Sequence, residues 1–401
     1  VGATTALTGL STATGLTTGA AQSLTVTGPF STPVLISNAT DGFPSTNDTY
    51  HLATADFDGD GKPDLATTGA FGNDRAYVAW GDGAGSVSSG PSIAVGSIPG
   101  GIIAVSLRSN GKVDLVTANY GAAANDGNIS VVLGNGDRMF SAAVNYDSGL
   151  SLRTALDLDS GVNLIGTSGH LDLVVSYVGD TGTASGAGVE IFPGNGDGTL
   201  GVPTSYADDG ITQSSPVVGD VDGDGTLDFA VPLAGDGAAN AKIYMNQGGG
   251  LGFTTSLSNP GAPNFGNTWA FDDFNGDGHL DWALGLNYYG VFENTGDGTP
   301  TGLNEGLEDF SFSNSVSLRA RTGVFTSSGN ADIVFIENSA TAIHNGLVLY
   351  PGNGDGTFGA AILYPLSGTP EDAVVADFNG DGKSDVMVLD RGGKLFYFAG
   401  R

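Results

Sequence analysis

One nine-residue stretch, which we call an acidic loop, reads Asp56-Phe-Asp58-Gly-Asp60-Gly-Lys62-Pro-Asp64. Nearly the same pattern returns in three further loops, which begin at Asp220, Asp273 and Asp377. Acidic or amide side chains stand at positions one, three, five and nine, and glycines at positions four and six allow the backbone to curl. Clustered carboxylates repel one another unless a cation lies among them, and Ca²⁺ prefers such oxygen donors. The four loops therefore predict four calcium sites.

An EF-hand is the main alternative, because it opens with the same acidic pattern but requires a bidentate glutamate at its twelfth position. The corresponding positions hold residues without a carboxylate, namely Thr67, Val231, Leu284 and Val388. The flanks of the first loop, 53–57 and 65–67, are short runs of β type without helix caps or a helical period. We therefore reject the EF-hand and predict a loop that connects two strands.

The ninth position of the acidic loop marks an internal repeat. An aspartate recurs there at intervals of 50 to 58 residues, at Asp64, Asp114, Asp172, Asp228, Asp281, Asp332 and Asp385. The second, third and sixth units have lost the acidic pattern, whereas apolar residues at the second position and after the closing aspartate are kept in all seven. The repeat is therefore a structural unit first and a metal site second.

Each unit predicts about four short strands, with a glycine-rich turn between the third and the fourth. The last unit gives strands at 372–378, 385–389 and 394–399, and a fourth strand is missing before Arg401. The segment 30–36 resembles 358–364, the fourth strand of the sixth unit. We predict an all-β fold, a seven-bladed β-propeller of four-stranded antiparallel blades, in which an N-terminal strand completes the C-terminal blade.

Residues 1–28 stand apart from the repeats, since they are rich in Thr, Ser, Ala and Gly and carry no charged side chain. We interpret this segment either as a linker or as an arm that adds a strand to an exposed sheet edge, its own or a neighbour's. In this interpretation residues 29–401 form the propeller domain.

The chain is strongly acidic, with a formal net charge of −30 over 401 residues. Such a surface argues against nucleic acid or an anionic membrane as partner. The sequence has no continuous apolar run of about 18 residues, so we predict no membrane span. Cysteine is absent, so no disulfide supports the fold. Open calcium loops bind with dissociation constants of about 10⁻⁴–10⁻³ M in extracellular modules, which favours a secreted or cell-surface location.

The strand–loop–strand units resemble the FG-GAP/VCBS repeat family, which includes the calcium-bearing blades of the integrin α-subunit propeller. The resemblance covers residues 29–401 and rests on four intact loops in register. It implies that the side chains at positions one, three, five and nine, and the backbone carbonyl at position seven, bind Ca²⁺. The implied ligands are Asp56, Asp58, Asp60, Lys62 and Asp64 in loop one, Asp220, Asp222, Asp224, Thr226 and Asp228 in loop four, Asp273, Asn275, Asp277, His279 and Asp281 in loop five, and Asp377, Asn379, Asp381, Lys383 and Asp385 in loop seven.

Three units depart from the family pattern, and we expect no metal in units two and six. The doubtful ligands of unit three are Asp157, Asp159 and Asp172. In that unit we assign Leu158 to the second loop position. Arg108 lies in loop two, and Arg319 and Arg321 precede loop six. We hypothesise that guanidinium groups replace the cation in these two loops.

The sequence offers no catalytic constellation. The four histidines, which we interpret as isolated strand or loop residues, are His51, His170, His279 and His344. No nucleophile elbow, phosphate-binding loop or zinc-protease motif occurs. We therefore predict that the protein is not an enzyme. Relatives of the family include polysaccharide lyases, so lyase activity stays an alternative.

Integrin-like propellers bind partners on the face opposite the calcium loops, where the second and third strands of each blade connect. The candidates for a partner-binding face there are Phe71, Asn119, Tyr120, Tyr177, Tyr288, Tyr289 and His344. Tyrosine with asparagine suits contact with sugar or protein, whereas rings that fill gaps between blades are the structural alternative. We expect a function in extracellular structure, self-assembly or cell-surface adhesion. The expected partner is a protein or a glycan, or the chain itself through residues 1–28, and a lectin-like module is the alternative.

Overall fold

A computed structural model describes the protein as a ring of short strands. The described residues are 28–31, 33–37, 49–69, 73–121, 127–147, 154–162, 164, 169–178, 187–208, 211–212, 216–234, 241–246, 255–257, 268–285, 289–296, 300–304, 315–339 and 345–401. Their regular structure consists of strands, which confirms the all-β prediction. Accordingly, these residues include no helix that is long and apolar enough to cross a membrane. The predicted arm or linker, residues 1–28, lies outside them except for Gly28.

The strands pair into seven antiparallel sheets, one for each repeat unit, and we number these blades in chain order. The strands are β1 (Val34–Ser37); in blade one β2 (Thr49–Ala55), β3 (Asp64–Gly69), β4 (Arg75–Gly81) and β5 (Val87–Ala94); in blade two β6 (Pro99–Val105), β7 (Asp114–Asn119), β8 (Asn128–Val132) and β9 (Val144–Asp147); in blade three β10 (Thr154–Val162), β11 (Asp172–Val178), β12 (Ala187–Phe192) and β13 (Thr204–Asp208); in blade four β14 (Ile211–Thr212), β15 (Val217–Gly219), β16 (Asp228–Ala234), β17 (Ala241–Tyr244) and β18 (Thr255–Leu257); in blade five β19 (Thr268–Asp272), β20 (Asp281–Gly285), β21 (Tyr289–Asn294) and β22 (Pro300–Asn304); in blade six β23 (Ser315–Gly323), β24 (Asp332–Ser339), β25 (Gly346–Tyr350) and β26 (Ile362–Pro365); and in blade seven β27 (Pro370–Ala376), β28 (Asp385–Asp390) and β29 (Leu395–Phe398).

The first strand of each blade lies at the centre of the ring. Each innermost strand contacts those of both neighbouring blades, and β27 of blade seven contacts β2 of blade one. Seven apolar clusters fill the interfaces, one between each pair of adjacent blades. The hydrophobic core is therefore distributed around the ring, and closure leaves no terminal blade with an uncovered apolar face.

Blade seven is completed by the N-terminal strand, as we predicted. Strand β1 pairs antiparallel with β29, with Val34 opposite Tyr397. Phe30 forms a bridge with Gly400, as Phe358 does with Gly352 in blade six. The similarity between 30–36 and 358–364 is therefore a similarity of register within the blade.

Aromatic residues join adjacent blades behind the loops. Phe140, which follows the turn between the third and fourth strands of blade two, packs on Phe57 in loop one, with ring centroids 6.0 Å apart. Phe30 fills the same place at the ring junction, where its ring lies 5.1 Å from that of Phe325 in loop six. These contacts bury aromatic surface at the interface between blades.

Blades three and four depart from the regular pattern. In blade four the inner strand is split into β14 and β15, which both pair with β16. In blade three Leu158 lies inside β10, opposite Val175. Our assignment of Leu158 to the second loop position was therefore wrong. Leu164 fills that position, because its N–H donates to the Asp172 carboxylate at 2.8 Å, as the second-position amides of the other blades do to theirs.

Replacing Phe30 with alanine tests the ring closure. Phe30 is fully buried against the rings of Tyr364 and Phe398 as well as Phe325, so Phe30→Ala should lower the free energy of unfolding by about 3–5 kcal/mol. Val34→Ala is the matched control on the same segment, because Val34 is 52% exposed. Denaturant titration followed by tryptophan fluorescence measures both. Equal stability of the two variants would contradict an N-terminal segment that closes the ring.

Candidate metal centres

The ninth-position aspartate holds the loop in every blade, and its exposed fraction is 0% in all seven. In blade one, Oδ2 of Asp64 accepts the N–H of Phe57 at 2.9 Å and Oδ1 accepts the N–H of Gly81 at 2.8 Å. The same two bonds, from the second loop position and from the end of the third strand, recur in the other six blades at 2.7–3.2 Å. This carboxylate therefore ties the loop to its blade whether or not the other acidic positions are kept.

The first-position aspartate shapes the backbone of the acidic loop. In loop one, Oδ1 of Asp56 accepts the N–H of Gly59 at 2.7 Å and Oδ2 accepts that of Gly61 at 2.8 Å. Asp273 in loop five makes the corresponding bonds, and Asp377 in loop seven accepts the sixth-position N–H in the same way. Gly59 and Gly61 have φ angles of 80° and 84°, which residues other than glycine rarely adopt. The curl of the loop therefore requires these glycines.

The curled backbone brings carboxylate oxygens together. In two loops, one oxygen from each of three aspartates lies within 4.8 Å of the others: Asp56, Asp58 and Asp64, and Asp220, Asp222 and Asp224. The buried Oδ1 of Asp220 has no hydrogen-bond partner within the part of the chain that the structure describes. An unsatisfied buried carboxylate oxygen is costly. A hard divalent cation is the group whose chemistry fits this set of donors.

The position-seven residue is held through its backbone. Its N–H donates to the fifth-position aspartate in all four acidic loops, at 2.7–3.0 Å. The four residues are Lys62, Thr226, His279 and Lys383. Their side chains differ in chemistry while the backbone contact is the same, which is compatible with the carbonyl ligand implied by the family resemblance.

Burial makes the ninth-position carboxyls of the acidic loops weaker acids. It raises the pKa of Asp64, Asp228 and Asp281 to about 6, although the two backbone N–H groups work against the shift. Burial also raises the pKa of Asp385. A positive charge beside each of these carboxyl groups would lower the free-energy cost of ionising it. A nearby positive charge would therefore stabilise the ionised form of the ninth-position carboxyl in each of the four acidic loops.

Two parts of the chain match models of repeat families. Residues 49–88, which begin at β2 and include loop one, match the FG-GAP repeat. Residues 325–388, which run from loop six into β28, match the FG-GAP-like repeat. The chain is a seven-bladed propeller that carries repeats of the FG-GAP family. No curated protein matches the sequence of this FG-GAP propeller.

Three solved structures resemble the FG-GAP propeller at low sequence identity. A lectin of Agrocybe aegerita, described by its specific recognition of non-reducing terminal N-acetylglucosamine, has a TM-score of 0.55 and 21% identity, over 86% of each chain. BBS1N in complex with ARL6DN, soaked with mercury, has a TM-score of 0.57 and 12% identity, over 94% of this chain and 98% of that chain. The same complex soaked with lead gives 0.54 and 12%, over 93% and 97%. At these identities the likeness concerns the fold alone.

Loop two of the FG-GAP propeller carries a guanidinium group among its carboxylate and carbonyl oxygens. Arg108 occupies the third position, and its Nε lies 3.3 Å from Oδ2 of Asp114. Its Nη2 contacts Oδ1 of Asp114 and the carbonyl oxygen of Gly134. The contacts agree with our hypothesis that an arginine supplies positive charge in this loop.

In loop six the same hypothesis is wrong. Arg321 lies on the inner strand β23 and donates to Oδ1 of Asp372 in blade seven at 2.8 Å, away from the loop. The carboxylate of Asp332 instead accepts the N–H and the hydroxyl of Thr326, at 2.7 and 3.2 Å. In loop six, which has neither the acidic pattern nor an arginine, neutral donors therefore satisfy the carboxylate of Asp332.

The doubtful ligands of unit three lie apart. Asp157 and Asp159 are part of strand β10, where Asp159 pairs with Val174, so they belong to the sheet and not to loop three. Asp172 closes the loop and accepts the N–H groups of Leu164 and Gly194 at 2.8 and 3.0 Å. The extra residues of this unit lengthen the inner strand, which carries the acidic pair away from the loop.

Part of the predicted partner-binding face falls within the described residues. Three of the predicted face residues lie outside the described residues: Phe71, Tyr288 and His344. Tyr289 is described only as backbone of β21. Asn119 and Tyr177 have exposed fractions of 0% and 3%, so these two candidates are buried and do not contribute to an exposed binding face. The amide of Asn119 donates to Oδ1 of Asn128 at 2.9 Å, and burial raises the pKa of Tyr177 to about 12. Tyr120 is half-buried.

An ionic cluster at the junction of blades six, seven and one was not predicted. Nη2 of Arg319 lies 2.7 Å from Nδ1 of His51, and Nε lies 3.7 Å from Oδ1 of Asp372. Oδ2 of Asp372 also accepts the N–H of Leu52 at 2.9 Å. His51 is therefore not the isolated residue that we expected. Its partners are far away in sequence, and only the order of blades around the closed ring could have brought them together.

The variant Asp332→Asn tests whether the ninth-position carboxylate stabilises a blade that lacks the acidic pattern. Asparagine keeps the shape but turns an NH₂ group toward a backbone N–H, so we expect unfolding to cost about 1–3 kcal/mol less. The loss should be the same in calcium and in chelator. Asp355→Asn, in the exposed turn of the same blade, is the control, and denaturant titration measures both variants. A loss seen only in calcium would argue against this structural role.

Proposed function

We propose that this FG-GAP propeller is a secreted, calcium-stabilised protein without enzymatic activity, which acts in extracellular structure, self-assembly or cell-surface adhesion. Side chains at positions one, three, five and nine of loops one, four, five and seven, with the position-seven carbonyl, would hold Ca²⁺. The strongest support is the loop-four set, in which Asp220, Asp222 and Asp224 converge and one buried oxygen of Asp220 lacks a partner among the described residues. The bound cation would neutralise carboxylates that otherwise repel one another.

The affinity class of these loops supports a calcium-rich location. Positions four to six are exposed in all four acidic loops, so water reaches the proposed ion from one side. Open sites of this kind have dissociation constants of about 10⁻⁴–10⁻³ M in extracellular modules. Cytosolic calcium would leave them empty. We therefore include secretion or attachment to the cell surface in the proposal.

A binding role is supported by the charge of the chain and by similar propellers. The net charge of −30 disfavours nucleic acid and anionic membranes as partners. The Agrocybe lectin recognises a terminal sugar, and BBS1N is in complex with ARL6DN, so these propellers offer a surface to a partner. For this chain we propose a protein or glycan partner at the cell surface, and self-assembly through residues 1–28.

A lectin-like function is the second candidate. A groove of about 650 Å³ lies between the outer strands of blades one and two. Its lining includes Ile93, Val95, Phe140 and Met139, of which Met139 is 62% exposed. Concave apolar surface beside polar groups is the usual setting for a small ligand. A glycan array in millimolar calcium tests this candidate, and an array without a bound glycan would reject it.

Calcium should raise the melting temperature of the protein, and a chelator should lower it. A site held at 100 times its dissociation constant adds about 2.7 kcal/mol to the free energy of unfolding. Differential scanning calorimetry with calcium, with magnesium and with chelator measures the effect, and native mass spectrometry should count four calcium ions. An unchanged melting temperature would leave the converging carboxylates without a cation and reject the calcium part of the proposal.

The calcium effect should also depend on pH, because Asp64, Asp228 and Asp281 have a pKa of about 6 in the folded chain and about 3.9 when unfolded. Between these values the folded state binds more protons, so the chelated protein gains stability from these groups as the pH falls through 6. Protons then compete with calcium, and the melting-temperature difference between calcium and chelator should shrink below pH 6. A difference that grows as the pH falls would contradict the role of these carboxylates.

Self-assembly should depend on residues 1–28. We expect concentration-dependent polymers of the full chain, and their loss on deletion of 1–28, since an added strand can pair with a sheet edge of a neighbouring copy. Electron microscopy and sedimentation, with and without chelator, measure the polymers. Retention of the propeller's melting temperature is the control for folding of the shortened chain. Monomers of the full chain at all concentrations would exclude this form of the proposal and leave adhesion to an external partner.

A further inference from the structure

Arg138 connects blade two to the acidic loop of blade one. It lies in the turn between the third and fourth strands of blade two, and its Nε donates to Oδ2 of Asp58 at 2.7 Å. The guanidinium carbon also lies 5.3 Å from the centre of the Trp80 ring in blade one, a distance typical of a cation–π contact. Arg138 is 55% exposed, whereas the Asp58 side chain is 5% exposed. A cation of the chain itself is thus in contact with a third-position ligand of loop one.

The backbone of Arg138 has a conformation that glycine adopts more easily than arginine does. Its φ angle is 66°. The corresponding turn position is glycine in blades one, three and six, where Gly85, Gly198 and Gly356 have φ angles of 82°, 91° and 79°. Glycine adopts this conformation freely and arginine does not. Arg138 therefore has a strained backbone, which the corresponding turns of blades one, three and six avoid. The contacts of its guanidinium group offset that strain.

Loop one consequently differs from loops five and seven. The turns over those two loops carry glycine at this position, and the N–H groups of Gly356 and Gly85 donate to the second-position carbonyls of loops five and seven, both at 3.0 Å. In loop one, Oδ1 of Asp58 accepts the N–H of Asp60 at 3.0 Å while Oδ2 is occupied by Arg138.

We propose that Arg138 is a tethered competitor for the calcium ion of loop one. Its guanidinium neutralises Asp58 while the loop holds no metal, and a calcium ion must share that carboxylate with Arg138 or displace it. Loop one is therefore less dependent on calcium than loops five and seven, and it fills after those two loops as calcium rises. This inference rests on the calcium binding proposed above, and it assigns to one side chain the difference between otherwise similar sites.

The variant Arg138→Gly tests the competitor. The corresponding turns of blades one, three and six have glycine at this position, so the variant should fold. Arg138→Gln serves as a second variant, which removes the charge without changing the freedom of the backbone. Isothermal calorimetry with calcium chloride should show one site that binds about two- to five-fold more tightly in either variant, the range set by a half-exposed ion pair. The gain in melting temperature on adding calcium should be larger than in the wild type.

Two controls assign the effect to loop one. Arg75→Gln removes a positive charge from blade one at a side chain that contacts Ser92, and it should leave calcium affinity unchanged. In an Asp60→Ala background, which removes a loop-one ligand, Arg138→Gly should no longer alter calcium binding. If the wild type binds calcium but Arg138→Gly and Arg75→Gln have the same calcium affinity, the proposed role of Arg138 is rejected and the calcium proposal stands. A wild type that binds no calcium would instead reject the calcium proposal itself.

Discussion

A carboxylate without exposed surface lies at the base of the loop in every blade, and the rest of each blade is arranged around it. Burying such a group is costly unless donors satisfy it. Two backbone N–H groups, one from the loop and one from the end of the third strand, do so in all seven blades, including those closed by Asp114 and Asp332. Neutral amides satisfy the oxygens but leave the charge, and in loop six the hydroxyl of Thr326 adds a further neutral donor. Arg108 provides a nearby cation in blade two, and we propose that Ca²⁺ does so in four others.

The loops also form the contact between neighbouring blades. The N–H of Gly85 in blade one donates to the carbonyl of Phe378 in loop seven. The amide of Asn294 in blade five donates to the carbonyl of Val221 in loop four at 2.6 Å. Because a loop lies against the turn of the next blade, fixing its conformation with a cation would stabilise an interface as well as a blade. Around a closed ring each interface supports the next, which suits a chain without disulfides.

The fold was predictable because the repeat carries its own register. The ninth-position aspartates gave the number of blades, and the likeness of 30–36 to 358–364 predicted the blade that both ends of the chain share. The prediction failed where an insertion shifted that register, since the extra residues of unit three placed Leu158 and Asp159 in β10.

Side-chain contacts between blades could not be predicted from the sequence, for a different reason. Arg138 and Asp58 are 80 residues apart, and Arg319 and His51 are 268 apart, so no local pattern relates them. Burial was equally hidden, because a tyrosine or asparagine at the end of a second strand has the same sequence context whether it faces solvent or, like Tyr177 and Asn119, is enclosed. Ligand spacing is local and could be predicted, whereas the charges that surround a ligand set depend on the assembled ring.

A crystal grown in calcium and measured by long-wavelength anomalous scattering would locate the cations directly. The predicted map has calcium peaks among the carboxylates of loops one, four, five and seven, with a weaker peak in loop one, beside Arg138, than in loops five and seven, and no peak beside Arg108 in loop two. A calcium peak in loop two, or no peak in loop four around Asp220, would contradict the claim that buried carboxylates and the cations that neutralise them organise this propeller.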